Sequence, residues 1–352
     1  MTKRKSGTER NKIRKKQRLA IIIPTANRWR LLDIFLLTIA EKAFELGIDI
    51  VVYDSSSNRM SESIVYNFIF DKKANVKYKR WEKTFDGFSI DNKLIDCVRE
   101  FSESYDYLWI IRDDLAINPQ KLRHILSHLQ NFSRDAVVLG ETENEIVFYD
   151  DAAALFAHHG MEMMMLGTVI VKSSFAREVV KHIPLDEKNY SLYLPMAYFQ
   201  YWNQNVCKAS VFRVNGVFSN EGRNILFWRG DAFKKWVYYY GKCVMSLPSR
   251  YDDGKDSVLR LTMFGIQPFS LANVLSYRGY GTMCRQEVLA CKNVAPQVTS
   301  LSWNAILQIS IMPRFFARCW CKHYHMFLKF FRMIWTMFCV LSGTVPKDED
   351  FS

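Results

Sequence analysis

Two adjacent acids, Asp113 and Asp114, follow the apolar run Tyr107-Leu-Trp-Ile-Ile111, and a third, Asp54, follows the run Ile48-Asp-Ile-Val-Val-Tyr53. An acid pair at the end of an apolar run has two readings. It caps a turn or helix, or it offers hard oxygen ligands to Mg²⁺ or Mn²⁺, which one or two carboxylates hold together with a substrate's phosphates. Other chemistries leave less trace. The eight cysteines include no Cys-x-x-Cys pair and no histidines at zinc-like spacing, so they read as reduced packing residues. Neither G-x-G-x-x-G nor G-x-x-x-x-G-K-[ST] opens the first helix, which disfavours dinucleotide and P-loop sites. The neighbouring His158 and His159 read as loop residues left exposed.

The elements that must carry these acids alternate between strand and helix. Leu19-Ala-Ile-Ile-Ile23 is a continuous apolar run, as in a strand buried on both faces. Residues 29–46 have helical length and composition, with Gly47 as the stop. Strands at 48–53, 76–79 and 107–111 alternate with helices near 60–71 and 90–103, a series that requires a mostly parallel sheet with right-handed crossovers and helices on both faces. Further on, the pattern predicts a helix near 119–131, a strand at 136–139, an apolar stretch at 146–148 and a small helix near 151–158. A strand at Leu166–Val171, a helix near 190–203 and a strand near 210–214 follow. Beyond 226, aromatic-rich helical segments break at Pro248, Gly254, Pro268 and Pro313.

In open sheets of this kind ligands sit beyond the carboxyl ends of the strands. That rule selects three loops: Pro24 to Arg28, Asp54 to Asn58, and Arg112 to Asn118.

Those loops also carry a resemblance. Ala20-Ile-Ile-Ile-Pro-Thr-Ala-Asn-Arg28, then Val51-Val-Tyr-Asp-Ser-Ser-Ser57, then Arg112-Asp113-Asp114-Leu115 with Pro119 opening the next helix, resemble in order and spacing the family 2 glycosyltransferases. The resemblance is good over 19–130, weak over 131–215 and absent beyond. It implies an α/β fold of the GT-A type, Rossmann-like, followed here by a C-terminal helical region. It implies a nucleotide-sugar donor, a UDP-sugar by preference, and a divalent Mn²⁺ or Mg²⁺ that neutralises the leaving diphosphate as a Lewis acid.

Residue by residue, the resemblance makes Asp114 the preferred metal ligand with Asp113 beside it. Asp54 matches the family aspartate that hydrogen-bonds the base or ribose, Thr25 a residue lining the same pocket, and Lys93 a basic residue that reaches the nucleotide. Arg112 stands where a first aspartate is common, and Ala26 where an aromatic ring is usual. An inverting transferase needs a carboxylate to deprotonate the acceptor hydroxyl. The family places it after the strand at 166–171, where Asp186 and Glu187 are the nearest acids, with Glu162 and Asp151 behind them. Asp186 reads equally as a helix-start residue.

The ends of the chain differ from its body. The net charge of +12 divides into +8 over residues 1–18, +5 over 312–342 and a nearly neutral remainder. Basic ends attract an anionic membrane surface or a nucleic acid; no nucleic-acid module is recognisable, so the membrane is preferred and nucleic acid is not expected. Residues 312–345 mix Phe315, Phe316, Trp320 and Trp335 with basic residues. Lys329 and Arg332 leave too short an apolar stretch to span a bilayer, so the segment reads as an amphipathic helix lying on the membrane or packed on the body with its cations snorkelling.

The resulting organisation is a basic disordered tail at 1–18 and a GT-A domain at 19–225, with a nucleotide-sugar half at 19–130 and an acceptor half at 131–225. A helical extension at 226–311 and the membrane-associating helix at 312–345 complete it. With no secretory apolar stretch after the basic N-terminus, the place of work is the cytoplasmic face of the plasma membrane and the acceptor a lipid-linked or polysaccharide chain. The alternatives are a non-catalytic scaffold on a degenerate fold of this type, or another nucleotide-binding transferase.

Overall fold

The structure is a computed structural model that describes residues 18–72, 74–82, 89–140, 145–182, 194–218, 237, 239–260, 269–281, 283–320 and 323. The tail expected at 1–18, all but its last residue, and most of 321–352 lie outside the described residues.

The strands are β1 (Leu19–Thr25), β2 (Asp49–Asp54), β3 (Val76–Arg80), β4 (Tyr107–Ile110), β5 (Ala136–Gly140), β6 (Glu145–Tyr149), β7 (Val169–Lys172) and β8 (Ala209–Arg213). They form one sheet in the order β3-β2-β1-β4-β7-β5-β8-β6. β1 to β4 pair in parallel, as do β5 and β8, whereas β7 runs antiparallel to both β4 and β5, and β6 antiparallel to β8. The sheet is therefore mostly parallel but mixed.

Every residue of β1 is buried. Because side chains alternate across a strand, Leu19, Ile21 and Ile23 enter one core with Val52, Trp109 and Leu36, while Ala20 and Ile22 enter another with Val51, Leu108 and Ile110. The first core lies under α1 (Trp29–Leu46) and α4 (Leu122–Asn131); the second lies under α3 (Ser89–Phe101), α5 (Ala152–Met163), α6 (Ser173–His182), α7 (Leu194–Trp202) and the helices that follow. α1 shows how the sequence sets this. Leu32, Phe35, Leu36, Ile39, Ala40 and Ala43 repeat at helical spacing on its buried face. Gly47 closes it at φ 69°, with Ile48 N–H bonded to the Ala43 carbonyl at 2.9 Å, a left-handed stop. α2 spans Met60–Lys72.

Four expectations change. Ile146–Phe148 belongs to a true edge strand, β6. β7 starts at Val169 rather than Leu166, because Gly167 turns the chain at φ 110°. α5 runs on to Met163, past the predicted end near 158. Gly254 does not break a helix: it lies inside α9 (Asp252–Arg260), where a Cβ would stand 3.0 Å from the Ala157 backbone and 3.0 Å from the Phe156 ring. A glycine there lets α9 and α5 approach closely.

Beyond α8 (Tyr240–Met245) and α9, the helices α10 (Leu271–Tyr280), α11 (Arg285–Ala290), α12 (Ala295–Val298) and α13 (Trp303–Ile311) extend the second core. Residues 314–320 are helical, and Arg318 Nε donates to the Gly279 carbonyl at 2.7 Å, docking the segment on α10. Phe315, Phe316 and Trp320 remain exposed at 70%, 60% and 58%, so the docking does not cover the aromatic face. No helix among the described residues is long and apolar enough to cross a membrane.

Candidate active site

Parallel register brings the selected loops to one rim. Thr25 stands opposite Asp54 and Asp54 opposite Arg80, while Ile22 stands opposite Ile110. The chain leaves all these strands on the same side of the sheet. The loop after β1 then turns at Asn27, which adopts φ 56°, a left-handed conformation that asparagine tolerates better than most residues. Asn27 N–H donates to Ser56 Oγ at 2.7 Å, and its own Oδ1 accepts from Ser57 N–H and Ser57 Oγ, each at 2.9 Å.

Asp54 is fully buried. Its Oδ1 accepts from the N–H and hydroxyl of Ser56, and its Oδ2 accepts from Tyr78 Oη at 2.9 Å and Arg80 Nη1 at 3.2 Å. A carboxylate has about four acceptor positions, and all are engaged. Asp54 thus braces the loop at this rim, and Arg80 carries the brace further by donating to the Ser56 carbonyl.

Lys93 is held within the fold as well. It is only 1% exposed, and Nζ donates to the Thr25 carbonyl at 2.7 Å and to Ser55 Oγ at 2.8 Å. The rings of Trp81 and Tyr53 flank the ammonium at 5.7 and 5.9 Å, favourable cation–π contacts. Burial lowers its pKa to about 8, with Cys97, Asp54 and Asp113 opposing the fall. Lys93 thus ties α3 to the ends of β1 and β2 instead of reaching outward.

The acid pair lies at the centre. Thr25 Oγ1 donates to Asp113 Oδ2 at 2.7 Å, so its hydroxyl positions the acid. Arg28 spans both acids, with Nη1 3.0 Å from Asp113 Oδ1 and Nη2 2.7 Å from Asp114 Oδ2. Arg112 Nε holds the other oxygen of Asp114 at 2.8 Å. Burial raises the Asp113 pKa despite Arg28 and Thr25. For Asp114, burial also pushes upward, but Arg112 and Arg28 together outweigh it and the net shift is down.

A second layer holds this loop in place. Trp109 Nε1 donates to the Gly167 carbonyl at 2.7 Å. Gly167 packs so closely on Leu115 and Ile111 that a Cβ would collide with the Leu115 side chain. Ile117 bridges to Phe218, and Asn118 Oδ1 accepts from Gln120 N–H at 3.0 Å to start the 3-10 turn Pro119–Lys121.

The catalytic-base candidates Asp186 and Glu187 lie outside the described residues. Asp151 is the N-cap of α5, accepting from Ala153 N–H at 3.1 Å and Arg250 Nη2 at 2.7 Å. The histidine pair is not simply exposed. His159 is 4% exposed, with Nδ1 2.6 Å from Glu162 and Nε2 3.2 Å from Tyr149 Oη. Sequence reasoning missed the arginine clamps, although Arg28 stands within the first motif and Arg112 was the departure from the third.

Among the described residues no cluster of three or more His, Cys, Asp or Glu stands ready for a metal. A divalent ion held jointly with phosphates needs only one or two carboxylates. Oδ1 of Asp113 and Oδ2 of Asp114 already converge on one guanidinium, so this donor set fits such an ion.

Residues 20–151 match the family described as Glycosyl transferase family 2, and over that stretch the chain is family 2-like. No curated protein matches the chain. Among solved structures, that of S. aureus TarS is similar at a TM-score of 0.50 and 14% identity, over 83% of this chain and 52% of that one. The complex of S. aureus TarS 1–349 with UDP-GlcNAc aligns at 0.47 and 15%, over 80% of this chain and 84% of that one. The mannosyltransferase PcManGT from Pyrobaculum calidifontis, solved with GDP-Man and Mn²⁺, aligns at 0.46 and 13%, over 88% and 84%. At 14% identity the likeness to TarS at a TM-score of 0.50 is one of fold alone.

Proposed function

We propose that this chain is a glycosyltransferase that moves a sugar, with inversion, from a nucleotide-sugar donor, a UDP-sugar, to a lipid-linked or polysaccharide acceptor in cell-surface polysaccharide assembly. The observation that carries the reading is the convergence of Asp113 and Asp114 on one cation at the carboxyl rim of the sheet, beside Thr25. The match of residues 20–151 to the glycosyl transferase family 2 supports it.

In this reading Asp114 and Asp113 hold Mn²⁺ or Mg²⁺, which supplies Lewis-acid neutralisation of the departing diphosphate. Thr25 orients Asp113, and Lys93 and Asp54 hold the loops after β1 and β2 in register. Asp186 or Glu187 takes the proton of the acceptor hydroxyl as it attacks the anomeric carbon. The exposed Phe315, Phe316 and Trp320 beside Arg314 and Arg318 support peripheral attachment to an anionic membrane on its cytoplasmic side, because aromatic residues favour the interface and cations the headgroups.

The test is thermal stabilisation by UDP with Mn²⁺, since a ligand that binds only the folded state raises Tm, followed by a scan of nucleotide sugars for enzyme-dependent hydrolysis. A second reading, a non-catalytic scaffold, is favoured by the engagement of three carboxylate oxygens of the acid pair by arginines. Absence of any shift with every nucleoside diphosphate would select it. For the membrane, removal of residues 312–352 is expected to abolish co-sedimentation with phosphatidylserine vesicles; retained binding refutes the attachment.

A further inference from the structure

Arg28 lies between the two acids that the proposed function assigns to the metal, and this raises the question of what it does when that cation arrives. Asp113 and Asp114 are adjacent in sequence and largely withdrawn from water, their side chains 2% and 12% exposed. Two like charges brought together and desolvated repel, and each is penalised by burial. A positive group must lie between them for both to stay ionised. The planar guanidinium of Arg28 supplies it, one nitrogen to each acid at 3.0 and 2.7 Å, a fork suited to two oxygen acceptors at once.

We infer that Arg28 is a built-in stand-in for the divalent ion, which holds the two carboxylates converged until the ion displaces it, after which its guanidinium pairs with the donor's diphosphate. The inference rests on the proposed nucleotide-sugar activity. Three features support the exchange. First, the two contacts use Asp113 Oδ1 and Asp114 Oδ2, the oxygens that share one guanidinium, whereas Thr25 occupies Asp113 Oδ2 and Arg112 occupies Asp114 Oδ1. An ion bridging the pair therefore competes with Arg28 and leaves Thr25 and Arg112 in place.

Second, the Arg28 side chain is 35% exposed against 18% for Arg112, so Arg28 is the member of the pair that faces solvent, where an incoming ion and diphosphate first meet the site. Third, the charges of the two acids and two arginines cancel. A divalent ion added alone leaves an excess of two positive charges in a partly buried site, which is unfavourable. Metal and diphosphate added together restore the balance, and arginine recognises phosphate oxygens in the same bidentate way as carboxylate. Arg28 is a positioning residue on this account: it couples metal binding to donor binding.

The experiment is Mn²⁺ binding to the full chain, followed by electron paramagnetic resonance of the free ion, with and without UDP, for the wild type, Arg28→Gln and Arg28→Lys. With its competitor removed, Arg28→Gln is expected to bind Mn²⁺ in the absence of UDP about tenfold more tightly, roughly 1.4 kcal/mol. Arg28→Lys, which keeps the charge but loses the fork, should fall between it and the wild type. UDP should tighten Mn²⁺ binding strongly in the wild type and weakly in Arg28→Gln. If both variants bind Mn²⁺ no more tightly than the wild type, the exchange is overturned while the nucleotide-sugar reading stands. If no form of the protein binds Mn²⁺ even with UDP, both readings fall together.

Discussion

Lys93 donates to the carbonyl oxygen of Thr25 across 2.7 Å, joining α3 to the last residue of β1. The same ammonium reaches Ser55 after β2, so one buried cation gathers the ends of two strands and a helix. A lysine in this position is costly to keep charged, and its consequences are measurable.

The first is a pH dependence. The Lys93 pKa in the fold is about 8, because burial penalises the charged form, whereas an unfolded lysine titrates near about 10.4. Between these values the unfolded chain binds more protons than the folded one, so stability rises with pH across the window. Urea unfolding of the wild type and Lys93→Met from pH 7 to 10 is expected to show the wild type gaining on the variant above pH 8. Parallel curves would sink this assignment.

Thr25→Val removes the donor to Asp113 Oδ2 without changing side-chain shape. A buried acceptor left without its partner costs about 1–3 kcal/mol, and the loss is expected to appear as a lower urea midpoint with an unchanged m-value. Because Thr25 aims Asp113, the Tm shift given by UDP with Mn²⁺ is expected to shrink as well.

Asp114→Asn keeps the side-chain volume but removes the charge. Under the proposed function, turnover is expected to fall by about 100-fold or more, the scale of losing a group that stabilises transition-state charge. Circular dichroism of the variant should match the wild type. Turnover that survives would remove Asp114 from the metal site.

Gly167→Ala tests the support under the acid loop. At φ 110° an alanine is strained by about 1–3 kcal/mol, and its methyl would collide with Leu115. A marked loss of stability is expected, together with weaker nucleotide binding, since Leu115 follows Asp114 directly. Normal stability would mean that the loop yields at no cost.

Much of the nucleotide half was legible because its signals are local. The apolar runs at 19–23 and 48–53 sit in strands that are buried on both faces, and Gly47 closes α1 as its position predicts. From parallel strands alone, the rule for carboxyl ends brought Thr25, Asp54 and Asp113 to one rim. The partners those residues find within the fold were not legible. Asp54 is clasped by Tyr78 and Arg80, more than twenty residues away. The burial of Lys93 depends likewise on Trp81 and the end of β1. His159 looked like a loop residue because α5 was read as ending near 158; one more turn of helix sets it facing Tyr149. The edge strand β6 was hard to see because it is largely exposed, so its sequence need not be apolar throughout.

The left-handed turn at Asn27 has a mechanical meaning. Through its backbone and its amide oxygen it is pinned to Ser56 and Ser57, and Arg28 is the next residue along the chain. The loops after β1 and β2 are therefore fastened together at the residue that precedes the guanidinium, so that a shift of either serine is carried into the backbone from which Arg28 extends.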